Sequence, residues 1–341
     1  MHVPIHVVTT IYVMTFVIGV PGNCWVIGNL LRNRLCATGG TSLSPSHRTR
    51  LFIFILAISD LLLLLTIPAV ILFIQTADWL LGSFLCHVHL AVDIFAKLFS
   101  VVVLTAMSLE RYFIVCTRWR HSFKKGLTTA IPMCLALLLF VIVPMAVQIH
   151  YTTIIEIALP ASMDLSAPTE QPYQIHRLCV PGMSDRLFNL FAHYMFLTGF
   201  FLPLLIMTTC YILLMRHVRR KFRMRCEAGG ASGRSIREPR YMGEVRKSIW
   251  RIAIYHFVCW APFWTVTLIP MLVANMELNS PWMFHPVWRA LQLFINILPN
   301  INAAGNWILY AFLNRDVRRH LYVGKPSNKS KTTLIFSSMT I

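Results

Sequence analysis

The sequence predicts an all-α membrane protein, a bundle of seven transmembrane helices, and three observations point there. Of its 341 residues 56% are hydrophobic and only 13% are charged, against roughly 25% charged for a soluble domain. Mean hydropathy is +0.62. Seven apolar runs reach the roughly 20 residues a helix needs to cross about 30 Å of hydrocarbon: 7–31, 51–75, 84–117, 127–149, 187–215, 248–273 and 284–313. Basic residues, finally, collect between alternate runs.

Each run must be helical, because lipid offers no partner to an unpaired amide and a barrel would show alternating polarity. The first has no basic residue before it and carries Asn23 and Asn29, which separates it from a signal peptide. The second carries Asp60, and the third starts near Cys86 and ends in the charged pair Glu110 and Arg111. Proline falls inside every run but the third, at Pro21, Pro68, Pro132, Pro144, Pro203, Pro262 and Pro299. Packed membrane bundles tolerate such kinks. The stretch "FVCWAPFW", Phe257 to Trp264, places Pro262 among three large aromatics, either as a packing kink or as a hinge whose aromatic floor senses the cavity. After the seventh run, "FLNRDVRRH", Phe312 to His320, has the pattern of an amphipathic helix on the membrane surface. The expected organisation is therefore a bundle over 1–313, a short eighth helix over 314–322 and a tail over 323–341. That helix contains no cysteine, which excludes palmitate anchoring there.

Of 31 Lys and Arg, 26 lie in 32–50, 118–125, 216–251 and 315–331. By the positive-inside rule these segments face the cytoplasm and the N-terminus lies outside, in the plasma membrane. The net charge of +18 is then a topology signal and a contact to anionic lipid; nucleic-acid binding is a poor reading of it. Of nine cysteines, only Cys86 and Cys179 fall clearly outside, in an oxidising compartment, and they are expected to pair, pinning the 150–186 loop over the bundle mouth. The others read as membrane or cytoplasmic thiols.

Several motifs occur in order along the chain: Gly22–Asn23, "LAISD" at 56–60, Trp79 with Cys86, "ERY" at 110–112, Pro203 with Tyr211, "CWAP" at 259–262 and "NWILY" at 306–310. Over essentially its whole length the chain resembles the rhodopsin-like (class A) G-protein-coupled receptors, most of all the neuropeptide receptors of the somatostatin, allatostatin-C and opioid group. The resemblance implies a receptor, not an enzyme, with heterotrimeric G protein as cytoplasmic partner. It implies that Glu110 locks Arg111 at rest. Arg111 then meets the G-protein α-subunit once the sixth helix moves out, with Tyr112, Tyr211, Trp260, Asn306 and Tyr310 as further switch residues. The sequence departs from the family pattern at Trp307, where proline is usual, and at Arg118, where proline is also usual. It further lacks a tryptophan in the fourth run and has a long first cytoplasmic segment.

Asp60, Ser100, Asn302 and Asn306 fall at matching depths. An unpaired carboxylate at mid-membrane is costly, and similar receptors hold an allosteric sodium ion there; the alternative is a protonated Asp60 hydrogen-bonded to Asn306. No other cofactor is expected.

On the third run, Asp93, Lys97, Ser100, Leu104, Met107 or Ser108, and Arg111 recur at helical steps and form one face. Asp93 matches the position where amine, opioid and somatostatin receptors hold a ligand cation. Lys97 lies at i+4, in the favourable acid-first order, so a ligand cation must compete with it. The two either pair with and neutralise each other or contact ligand. Ligand contacts are expected from Asp93, Lys97, Trp260, Phe263, Trp264, Gln292 and Asn296. Met195, Phe196 and Gly199 occupy the stretch where catecholamine receptors present hydroxyls, which argues against a catechol. Six outer acids (Asp78, Glu156, Asp164, Glu170, Asp185 and Glu277) exceed Arg177, Arg186 and Arg289, a balance suited to steering a cationic peptide.

The reading is a neuropeptide receptor, with a weak preference for an inhibitory (Gi/o) partner. A receptor for a biogenic amine or other small chemosensory ligand is the alternative. A transporter would show repeated halves, which are absent, and an enzyme would need convergent nucleophiles or ligands, whereas the 13 histidines are scattered. Retinal is excluded because 284–313 contains no lysine. Ser327, Ser330, Thr332, Thr333, Ser337 and Ser338 are either kinase sites for arrestin recruitment or simply part of a disordered tail.

Overall fold

The computed structural model describes residues 5–35, 45–116, 140–160, 173–228, 240–276, 281 and 285–313. The first half of the fourth run, Arg118, the expected helix 314–322 and the tail lie outside these residues, as do Asp164, Glu170 and Glu277. Among the described residues, five segments are long and apolar enough to cross a membrane: Ile5–Arg32, Arg50–Thr76, Gly82–Phe113, Asp185–Arg220 and Trp250–Val273.

Helix α1 (Ile5–Leu35) continues through Pro21. The second run is two helices, α2 (Pro45–Leu64) and α3 (Ile67–Thr76). The break falls at Leu65–Thr66 because Pro68, in the first turn of α3, has no N–H to extend the ladder. The Thr66 hydroxyl donates to the Leu63 carbonyl at 2.7 Å and satisfies one group the break would orphan. Helix α4 (Gly82–Cys116) is uninterrupted, and α5 (Phe140–Tyr151) is the described part of the fourth run.

A β-hairpin follows, an element outside the expected all-helical class. Strand β1 (Thr152–Pro160) pairs antiparallel with β2 (Tyr173–Pro181), placing Ile154 opposite Cys179 and Glu156 opposite Arg177. The β-branched stretch "TTIIEI" suits a pleated ladder more than a helix.

Helix α6 (Asp185–Phe196) passes through a π-helical turn, Leu197–Phe201, into α7 (Leu202–Ala228). The wide turn lies immediately before Pro203, where the regular hydrogen-bond ladder must be interrupted. Helix α8 (Arg240–Asn275) contains Pro262 and Pro270. The seventh run divides into α9 (Pro286–Asn296) and α10 (Leu298–Leu313). Its break, at Ile297, is set by Pro299, whereas α10 runs unbroken through Trp307.

Helix α1 packs on α2, α3 and α10, while α4 lies against α2 and α7, and α8 lies against α10. The α1–α10 contact is close enough to require glycine. A Cβ at Gly19 would lie 2.7 Å from Leu64 and 2.8 Å from Ala304, and one at Gly22 would collide with the Trp307 indole. One buried cluster joins α1, α2, α4, α7 and α8 around Leu56, Met107 and Ile252. Another surrounds Trp260 and Trp264 on α8, with Leu98 and Val102 on α4 and Met195 on α6. This second cluster forms the floor of the cavity described next.

Candidate functional site

The hairpin is fastened at three points to the start of α4 and the segment before it. Cys86, the fifth residue of α4 and wholly buried, is disulfide-bonded to Cys179 on β2, with Cα atoms 5.7 Å apart. The Arg177 carbonyl accepts from the Trp79 amide at 2.8 Å. The Asp78 carboxylate accepts from the Arg177 amide at 2.8 Å, from Nε at 3.3 Å and from Nη2 at 3.0 Å. Those hydrogen bonds from Arg177, first the side chain and then the backbone, hold the Asp78 carboxyl below the usual carboxylate range. One of the acids expected to steer a ligand is therefore engaged within the protein. Glu156 and Asp185 are exposed.

A cavity of about 150 Å³ opens between α4, α6, the π-helical turn and α8. Asp93 and Lys97 line it from α4, and Trp260, Phe263 and Trp264 line it from α8. Five of the seven expected ligand contacts thus converge. Gln292 and Asn296 do not line this cavity: Gln292 is half-buried and Asn296 exposed on α9. Phe188, Phe191 and Ala192 line it from α6 without having been singled out in the sequence. Their spacing, on a strongly amphipathic helix, was the available signal. Met195 and Gly199 belong to the wall as well, while Phe196 turns to pack edge-on against Trp264 with ring centroids 5.7 Å apart.

Lys97 Nζ lies 2.6 Å from Asp93 Oδ2, and the same ammonium stands 5.4 Å from the centroid of the Phe263 ring. The i,i+4 spacing delivers both charges to one side of α4, and the ring face adds a cation–π contact of about 0.5–2 kcal/mol. Below this pair the α8 aromatics form a chain. Trp260 meets Phe263 at 5.5 Å, Phe263 meets Trp264 at 5.3 Å, and His256 stacks on Trp260 at 5.4 Å.

A buried polar layer lies deeper. Asp60, Ser100, Asn302 and Asn306 are each at most 9% exposed. Asn306 Nδ2 donates to Asp60 Oδ2 at 3.1 Å, and Ser100 Oγ donates to Ser59 Oγ at 2.9 Å. Asn306 Oδ1 is buried with no hydrogen-bond partner among the described residues. One carboxylate with neutral hydroxyl and amide oxygens is a donor set for a hard monovalent cation. No group of three or more His, Cys, Asp and Glu residues suited to another metal occurs among the described residues.

At the end of α4 opposite the disulfide, Glu110 is buried and Arg111 and Tyr112 are half-buried. Tyr112 packs against Phe113 with centroids 5.5 Å apart. Tyr211 on α7 stacks on Trp250 of α8, with centroids 4.1 Å apart and planes 12° from parallel. Trp250 was not anticipated, since nothing in local spacing pairs residues on two different helices. Tyr310 lies on α10.

The model of the 7 transmembrane receptor (rhodopsin family) matches residues 35–310, so the chain belongs to that family of multi-pass membrane receptors. Among its relatives, the chain is 26% identical over 325 residues to the probable G-protein coupled receptor C06G4.5 of Caenorhabditis elegans, covering 93% of this chain and 69% of the relative. It is 26% identical over 315 residues to neuropeptide receptor 18 of the same organism, covering 90% of this chain and 64% of the relative. It is 27% identical over 318 residues to mouse somatostatin receptor type 2, covering 92% and 75% respectively. The chain therefore spans about two thirds of the length of the two nematode relatives.

Proposed function

We propose that the protein is a G-protein-coupled receptor for an extracellular neuropeptide, with the aromatic cavity beside Asp93 and Lys97 as its ligand site. The observation that carries this reading is the convergence of five expected contact residues on one cavity next to a disulfide-pinned hairpin. The names of the relatives, somatostatin receptor type 2 and neuropeptide receptor 18, support a peptide as the ligand class. A monoamine fits less well, because Asp93 already holds an internal cation.

In this reading the hairpin end faces outside with the N-terminus, and the Glu110–Arg111 end faces the cytoplasm, an orientation that the distribution of basic residues supports. Ligand occupancy shifts the α8 aromatics, and the motion carries down α8 past Trp250 and Tyr211. It opens the cytoplasmic end so that Arg111 engages a G protein of the inhibitory (Gi/o) class, with Tyr112, Tyr211, Asn306 and Tyr310 as switch residues. A sodium ion at Asp60, Ser100, Asn302 and Asn306 favours the resting state. Residues 314–322 lie on the inner leaflet, and the serines and threonines of 323–341 serve arrestin once phosphorylated.

The test is G-protein activation in cells expressing the receptor, screened against amidated and cyclic neuropeptides, with Asp93→Asn and Trp260→Leu beside the wild type. A peptide response that both substitutions weaken, at unchanged surface expression, supports the assignment. Silence to all peptides together with a response to amines or lipids removes it.

A further inference from the structure

We propose that Lys97 occupies, from within the chain, the place at Asp93 that a ligand cation would take, so that the deep cavity accepts an uncharged aromatic or aliphatic side chain. The inference rests on the peptide reading and specifies the chemistry of the residue that reaches the cavity floor.

The first support is the state of the acid. Asp93 Oδ2 accepts from Lys97 Nζ at 2.6 Å, and the two side chains are only 27% and 20% exposed. Among the described residues, Asp93 and Lys97 are the only charged ones lining the cavity. A ligand ammonium that displaced Lys97 would strand a second cation beside the same wall, where the described lining offers no other acid to receive it. Like charges confined in a poorly hydrated site repel strongly, so the exchange is unfavourable. The Phe263 ring, 5.4 Å from Nζ, adds a further contact that displacement would break.

The second support is the shape and chemistry of the remaining wall. Apart from the ion pair, its described side chains are those of aliphatic, aromatic and methionine residues, whose polar groups are the indole N–H of Trp260 and of Trp264. Gly199 leaves space between Leu98 and Trp264: a Cβ there would come within 3.2 Å of Leu98 and 3.9 Å of Trp264. The cavity measures about 150 Å³, and an apolar cavity of about that size is known to hold a single benzene ring. It therefore suits one ring or one branched chain, with edge-to-face contacts available from the three α8 aromatics.

The experiment uses the full-length receptor in lipid nanodiscs and synthetic cyclic peptides in matched triplets. Members of a triplet differ at one position only, which carries phenylalanine, norleucine or lysine. Binding is measured for the wild type, Lys97→Met and Asp93→Asn/Lys97→Met. The expected result is that the wild type binds phenylalanine or norleucine members at least tenfold more tightly than lysine members. Lys97→Met should reverse that order, and the double substitution should remove the lysine gain. If the wild type instead binds lysine members as tightly as or more tightly than phenylalanine and norleucine members, the inference is overturned while the peptide reading stands. If no member of any triplet binds any form, although each melts cooperatively, both fail together.

Discussion

Tyr211 and Trp250 stack almost parallel, 4.1 Å between centroids, and join α7 to α8 at the end of the bundle opposite the disulfide. Tyr211 is an expected switch residue, so a stack that holds it on α8 opposes any separation of these helices. An aromatic pair contributes about 0.5–1.5 kcal/mol beyond its burial. Trp250→Leu is therefore expected to raise ligand-independent nucleotide exchange by about fivefold, the factor that roughly 1 kcal/mol confers. Comparison of basal exchange in membranes at matched receptor density checks this.

Trp307 fits against α1 only because Gly22 has no side chain, and its ring meets Trp25 edge-on at 6.4 Å. Gly22→Ala should cost about 1–3 kcal/mol through overpacking. Adding Trp307→Leu should recover part of that loss, because the two residues share one space. Thermal melting of the single and double variants in detergent measures the coupling.

Cys86 and Cys179 close a loop with a sequence separation of 93. Removing such a bond should cost about 2–5 kcal/mol. Cys86→Ser/Cys179→Ser is expected to reach the cell surface poorly and to lose peptide binding more than it loses helical content. Surface labelling beside circular dichroism separates the two effects.

The hairpin's third fastening is electrostatic and sensitive to acid. Asp78 is held below its ordinary value, near 3.9, by the hydrogen bonds from Arg177. A carboxylate whose folded pKa is depressed contributes stability above the unfolded pKa and loses it as pH falls through the folded value. Attachment should thus be insensitive to pH from about 5 to 8 and weaken below about 4. Hydrogen exchange at the Arg177 amide should be slow across that plateau and fast there in Asp78→Ala.

A sodium ion at the buried polar layer would bind the resting arrangement and not the unfolded chain, and so would raise the melting temperature by mass action. Replacing potassium by about 150 mM sodium should stabilise the wild type. Asp60→Asn, which removes the only carboxylate of the set, should be unaffected by the exchange.

Much of this architecture is legible in the sequence because lipid imposes so few solutions. Apolar runs of sufficient length must be helices, and i,i+4 spacing puts Lys97 against Asp93 whatever surrounds them. The helix break before Pro68 is likewise local chemistry. The hairpin is less legible, because the 150–186 segment reads as one long loop between apolar runs, although "TTIIEI" and "YQIHRLCV" carry β-branched residues. Asp78 looked like a free acid, and only the fold reveals that Arg177, 99 residues away, claims it. Tyr211 with Trp250 and Gly22 with Trp307 were invisible for the same reason. Such partners are chosen by how helices cross, which no periodicity encodes. Gln292 and Asn296 lie one turn apart on α9, as their spacing implies, yet helix rotation and the break at Ile297 decide where they point.

The measurement that tests the central claim most directly is guanine-nucleotide exchange on purified Gi/o heterotrimer by the receptor reconstituted in lipid, with and without peptides from the screen. Ligand-dependent exchange that is lost in Arg111→Ala, while that variant still binds the same peptide, is the predicted result. Peptide binding with no acceleration of exchange on any heterotrimer, or exchange unaffected by Arg111→Ala, would contradict it.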